Sequence, residues 1–71
     1  MSVRTYRLTV EGELGDHIAS AFPGMTLTRG GGTTTLTGAL RDQAELQGAL
    51  KRVSDLGLVL LETKAVEDRS E

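Results

Sequence analysis

The chain has 71 residues, a formal net charge of -2 and no cysteine, and these totals limit what it can be. A chain of this length folds as one domain, and without cysteine it has neither a disulfide nor a thiolate metal site to reinforce it. The slightly acidic balance supplies no basic field for phosphate backbones, so we expect no nucleic-acid partner.

The hydropathy pattern shows neither a signal peptide nor an apolar run of about 20 residues, the length of a membrane-spanning helix. We therefore expect a cytoplasmic protein that does not bind membranes. A domain of this size buries only about 60% of its unfolded surface, so its stability margin is thin. Small domains often compensate with a partner surface. We expect a homo-oligomer, in the simplest case a dimer, or a complex with another protein.

Two elements are predicted before the middle of the chain. In residues 5–11 every second residue is apolar, which is typical of a half-buried strand, and Gly12 ends it. Apolar residues then recur at helical spacing over residues 14–22, and Pro23 stops this short helix.

Two more strands and a longer helix come next. Residues 25–29 and 33–37 alternate between apolar and polar around three glycines, and this pattern predicts a β-hairpin. A second helix is predicted at about residues 42–56. Asp42 and Glu45 have the spacing of a capping box there, and a glycine follows the last turn.

The order strand, helix, strand, strand, helix, strand predicts a ferredoxin-like βαββαβ sandwich. This α+β fold has a four-stranded antiparallel sheet in the order 4-1-3-2 and two helices on one face. We expect residues 1–66 to form the single domain and residues 67–71 to form a charged flexible tail.

The last predicted strand begins with residues 58–61, which are all apolar. In the predicted fold it is an edge strand, so internal packing does not account for two apolar faces. We expect Val59, Leu61 and Thr63 on the open, threonine-rich face of the sheet. Exposed apolar edges invite pairing, and our hypothesis is that these residues dock a second copy. The strand propensity of threonine is the alternative explanation of that face.

Gly48 lies in the middle of the predicted long helix, on its polar side. A glycine there costs about 1 kcal/mol relative to alanine. Close approach of a partner across Ala44 and Gly48 would explain it, so we include Gly48 in the predicted interface. Drift without functional consequence is the alternative.

Residues with catalytic potential are few. His17 is the only histidine and stands beside Asp16. Such a pair can act as a base or bind a divalent metal, but one histidine with flexible acids is a weak constellation. Residues 30–32 are glycines in a hairpin, which lacks the aligned amides that hold phosphate at a helix start. We predict a non-enzymatic protein with no catalytic residues, no bound metal and no cofactor.

The sequence also resembles known families. RNA-recognition domains carry stacking aromatics on their central strands, and heavy-metal-associated domains carry Cys-x-x-Cys; this chain has neither pattern. In element order, size and the segment LGLVLLETKAV, it resembles ACT domains, which bind amino acids as regulatory dimers. That resemblance implies a ligand loop after the first strand, where the candidate residues are Gly12, Glu13, Gly15, Asp16 and His17.

Most of the chain is similar to short stand-alone bacterial proteins without an assigned activity. The similar segments are YRLTVEGELGDHIASAFPGMTLTR and LTGALRDQAELQGALKRVSDLGLVLL. This resemblance implies no reaction and no ligand. Our predicted function is therefore a self-associating protein-interaction module, and the alternative is an ACT-like regulatory domain that senses a small molecule such as an amino acid.

Overall fold

The computed structural model describes residues 4–66, so the predicted tail lies outside the described residues. The elements in chain order are β1 (Arg4–Glu11), a 3-10 helix (Asp16–Ala21), β2 (Met25–Gly30), β3 (Thr33–Leu40), α1 (Gln43–Asp55) and β4 (Leu60–Val66). The strands form one antiparallel sheet in the order β2-β3-β1-β4. Buried side chains of the 3-10 helix and of α1 join those of the sheet in one apolar cluster.

The predicted ferredoxin-like βαββαβ sandwich with two helices is wrong. Read from the β4 edge the strand order is 4-1-3-2, but residues 4–66 contain a single α-helix. The segment predicted as the first helix forms only a short 3-10 helix, so the order of the main elements is β-β-β-α-β.

Hydrogen bonds to the hairpin explain the missing helix. After β1, the N–H of Gly12 donates to the carbonyl of Gly32 at 2.7 Å, and the N–H of Leu14 donates to Oγ1 of Thr34 at 2.9 Å. These bonds hold the chain in a loop, and only a few residues remain before Pro23. A segment this short is marginal as an α-helix, and tight 3-10 turns are common in such pieces.

The predicted hairpin is present between β2 and β3. Gly30 pairs with Thr33, and the two residues between them, Gly31 and Gly32, have φ angles of 65° and 83°. Positive φ at both loop positions is the requirement of a type I′ turn, which glycine meets without steric cost.

The start of α1 is fixed by two acids. The carboxylate of Asp42 accepts from the N–H of Glu45 at 3.0 Å, as an N-cap does. The carboxylate of Glu45 accepts from the N–H of Arg41 at 2.8 Å and also contacts the Arg41 guanidinium. These hydrogen bonds lower the pKa of Glu45.

The end of α1 is a Schellman motif. Gly57 has a φ of 74°, its N–H donates to the carbonyl of Ser54, and the N–H of Leu58 donates to the carbonyl of Val53, both at 3.0 Å. The chain therefore turns sharply out of the helix and enters β4 within a few residues.

The core lies between the sheet and the two helical segments. Its buried apolar members are Leu8, Val10, Ile18, Phe22, Leu36, Ala49 and Val53. One polar side chain, Thr34, is fully buried among them. Its hydroxyl donates to the carbonyl of Gly12 at 2.7 Å and accepts from the N–H of Leu14, so both of its hydrogen-bonding capacities are used.

The register of β4 differs from the one expected by simple alternation. Val10 lies opposite Leu60 but Leu8 lies opposite Thr63, so Leu61 is an extra residue in a β-bulge. A shift of one residue moves a side chain to the other face of a sheet. Thr63 therefore lies on the side of the sheet that carries Leu8, and not on the open face as predicted.

Candidate functional site

The connection from α1 into β4 carries the large apolar side chains that are exposed among the described residues. The exposed fractions are 46% for Leu56, 54% for Val59, 40% for Leu60 and 53% for Leu61. We call these four residues the β4 patch. Among the described residues, α1 contacts β3 more extensively than β4, and the side chains of the patch remain exposed.

β4 also offers a free backbone edge, since within residues 4–66 it pairs with β1 alone. The N–H of Glu11 donates to the carbonyl of Val59, just before β4, at 2.9 Å, and every second residue of β1 back to Arg7 directs its backbone groups the same way. Lys64, the partner of Arg7, therefore directs its backbone groups inward. Thr63 and Ala65 flank Lys64 and direct theirs outward, where a further strand can pair with them.

Charged side chains lie next to the patch on the open face of the sheet. Arg7 stands directly opposite Lys64, and Glu62 stands opposite Thr9. Like charges at directly opposed positions destabilise a strand pair. Among the described residues, none of these three charged side chains forms an ion pair.

Arg7, Glu62 and Lys64 are absent from the predicted interface, because that prediction started from the apolar run at residues 58–61 and from the glycine within the long helix. The order of residues in β4 could have indicated two of them, because Glu62 and Lys64 stand one position on either side of Thr63. That symmetry is informative only when β4 is an edge strand.

The acidic side chains of the candidate ligand loop bond to other groups of the same chain. The carboxylate of Glu13 accepts from the N–H of Gly32 at 2.9 Å, and Asp16 forms an ion pair of 2.7 Å with Arg29. Arg29 also donates to the carbonyl of Leu14 at 3.0 Å. The acids thus hold the loop against the β2–β3 hairpin, and this is a structural role.

The other residues of the candidate loop are also placed by packing. Gly12 has a φ of 93°, which favours glycine, and Gly15 lies so close to His17 that a Cβ there would be 2.9 Å from Nδ1. His17 itself is exposed. In residues 4–66 no group of three or more histidine, aspartate or glutamate side chains is arranged to hold a metal ion.

Gly48 lies away from the β4 patch. It lines an open groove of about 490 Å³ between α1, the end of the 3-10 helix and the end of β3, and no residue of β4 lines this groove. Arg52, at the same groove, donates to the carbonyl of Ala21 at 2.6 Å. The structure therefore does not bring Gly48 together with Val59, Leu61 and Thr63, which the predicted interface combined.

Comparison with known proteins gives a family and no activity. The family model that matches covers residues 5–64 and is described as a domain of unknown function, DUF8691. Searches of curated proteins and of solved structures gave no match. No α-helix formed by residues 4–66 has the length and hydropathy to cross a membrane.

Proposed function

We propose that this chain, which belongs to the DUF8691 family of domains of unknown function, is a non-enzymatic module that self-associates through the free edge of β4. The observation that carries this proposal is the β4 patch, whose four large apolar side chains are 40% to 54% exposed beside an unpaired strand edge. A second copy offers the same edge, so two copies can pair along β4 and shield the apolar residues beside it.

An exposed strand edge is open to pairing with other strands. Natural edge strands are usually short, bulged, charged or covered, because open backbone groups attract other strands. β4 has seven residues, a typical length for a full strand, and its bulge lies at one end only. The backbone from Thr63 to Val66 is regular and remains open to pairing.

The magnitudes favour a modest affinity. Covering roughly half of each patch side chain is worth about 1 kcal/mol per residue, or about 8 kcal/mol for two copies, with strand hydrogen bonds adding to it. Association costs about 4 to 15 kcal/mol in lost translational and rotational freedom. At the lower end of this cost, and with about 4 kcal/mol from strand hydrogen bonds, the balance is about 8 kcal/mol in favour of association, which corresponds to a micromolar dimer rather than an obligate one.

Sedimentation equilibrium at about 50 μM protein, well above a micromolar dissociation constant, tests the proposal. We expect a mass of twice the 7.6 kDa of one chain. Leu61→Glu should return the protein to one chain, because a charge would be forced into the apolar contact. Circular dichroism should show that this variant stays folded, since Leu61 is exposed in the single copy.

Thr26→Glu is the matched control, because Thr26 is an exposed residue of β2 at the opposite edge of the sheet. It should leave the dimer intact. A strict monomer in the unmodified chain would refute self-association. A dimer that withstands Leu61→Glu and dissociates with Thr26→Glu would move the contact to the β2 edge.

ACT-like sensing of an amino acid is the alternative function and remains a prediction. Its proposed loop has Glu13 and Asp16 bonded to Gly32 and Arg29 within the chain. No contact of the described residues favours the alternative over self-association, so we propose self-association through the β4 edge alone.

A further inference from the structure

We infer that the two copies pair β4 with β4 in antiparallel orientation about a two-fold axis through Thr63, an arrangement that rests on the proposed self-association. Glu62 of each copy then lies opposite Lys64 of the partner subunit. The two sheets become one continuous sheet, and both α1 helices lie on the same face, because the axis is perpendicular to the sheet.

The charges of β4 are symmetric about Thr63. An axis there places residue 62 of each copy opposite residue 64 of the other, so both of these cross-strand pairs are Glu with Lys. The match ends at the β-bulge, because Leu61 is an extra residue there and lies outside the regular ladder. Opposite charges at directly opposed positions stabilise cross-strand contacts.

Neighbouring registers lack this match. An axis through Glu62 or through Lys64 places identical charges directly opposite each other, which is destabilising. An axis through Leu61 places Glu62 opposite Leu60, and an axis through Ala65 places a lysine opposite a valine. Among these five centres, only Thr63 pairs every charge in β4 with its opposite.

The backbone is compatible with the same centre. Thr63 is one of the residues whose N–H and C=O point away from β1, as the pairing of Arg7 with Lys64 requires. About an axis at Thr63, the N–H of each copy's Thr63 donates to the carbonyl of the other. Ala65 also points outward, but its partner about this axis is Leu61, the extra residue of the β-bulge, so the regular ladder ends there.

The positions of the charged side chains within one copy also favour this register. Lys64 stands beside Arg7, a like charge, and neither has an ion-pair partner among the described residues. In the inferred dimer, Glu62 of the partner subunit lies on the other side of Lys64. A negative charge thus joins two positive ones on the open face.

Charge reversal tests this register. Glu62→Lys and Lys64→Glu each turn both cross-strand pairs into like charges, and each should raise the dimer dissociation constant about tenfold to a hundredfold. The double variant Glu62→Lys/Lys64→Glu restores opposite charges and should dimerise nearly as well as the unmodified chain.

Mixing the two single variants tests the register more directly. One variant then carries two lysines and the other two glutamates, so every cross-strand pair between them is opposite in charge. We expect a heterodimer in native mass spectrometry with one variant labelled with ¹⁵N, and weaker pairing as salt is raised to about 1 M. Each variant alone should dimerise less than the mixture does at the same concentration.

The results separate this inference from the proposed function. If the unmodified chain is a dimer that Leu61→Glu dissociates, but no heterodimer forms on mixing, the register is refuted and the β4 contact stands. If the unmodified chain is a monomer, both are refuted. Thermal unfolding of each variant controls for folding, and Lys64→Glu should not destabilise the single copy, because it places a carboxylate opposite Arg7.

Discussion

Two glycines show how one residue type is required at one position and replaceable at another. A Cβ on Gly38 would lie 2.8 Å from Cγ of Met25 and 2.9 Å from the carbonyl oxygen of Gly24, which is closer than packed atoms approach. A Cβ on Gly48 would have no heavy atom within 4 Å. The space around each glycine therefore decides whether its replacement by alanine stabilises or destabilises the protein.

We predict that Gly38→Ala destabilises the protein by about 1 to 3 kcal/mol, because the methyl group overpacks the hairpin. Gly48→Ala should stabilise it by about 1 kcal/mol, since alanine is the better helix former. Urea unfolding measures both changes. Self-association should be unchanged in Gly48→Ala, and a loss of dimer would instead assign the α1 groove to the interface.

At the scale of elements, Thr34 determines the conformation of the connection between β1 and β2. Its hydroxyl bonds the carbonyl of Gly12 and the N–H of Leu14, so a β3 side chain holds the loop that leads into the 3-10 helix. Because Thr34 is fully buried, no water can replace a lost bond. The β1–β2 connection therefore depends on the buried hydroxyl of a residue in another strand, in addition to the exposed contacts of Arg29.

We predict that Thr34→Val lowers the free energy of unfolding by about 1 to 3 kcal/mol, because two backbone groups lose their partner. Thr35→Val is the matched control on the open face and should change it by less than about 0.5 kcal/mol. Urea unfolding measures both. Equal effects would show that the buried hydroxyl contributes no more than strand propensity.

At the scale of the whole molecule, one copy leaves an entire edge strand uncovered. Every residue of β4 except Val66 is exposed, whereas β1 and β3 supply most of the buried strand residues. The proposed pairing of two copies through β4 would couple folding to association, because the partner would bind the native chain and not the unfolded one.

The melting temperature of the unmodified chain should therefore rise with protein concentration, and differential scanning calorimetry between about 5 and 500 μM measures it. In Leu61→Glu the melting temperature should not depend on concentration. A melting temperature of the unmodified chain that is constant across this range would contradict coupling between folding and association.

The sequence by itself determined the elements whose signals are local. The helix predicted at about 42–56 is observed as Gln43–Asp55, because Asp42 and Gly57 cap it through bonds within its own turns. The hairpin is determined equally by Gly31 and Gly32, whose positive φ angles few other residues adopt.

Only the tertiary structure decided the contacts between distant segments. The bonds from Thr34 replaced the expected first helix with a 3-10 helix, and the bulge at Leu61 moved Thr63 to the other face of the sheet. Helical or alternating spacing records which residues are apolar, but it does not record which strand lies opposite them. The face of Thr63 and the exposure of the β4 patch depend on that pairing, so they appear only in the folded chain.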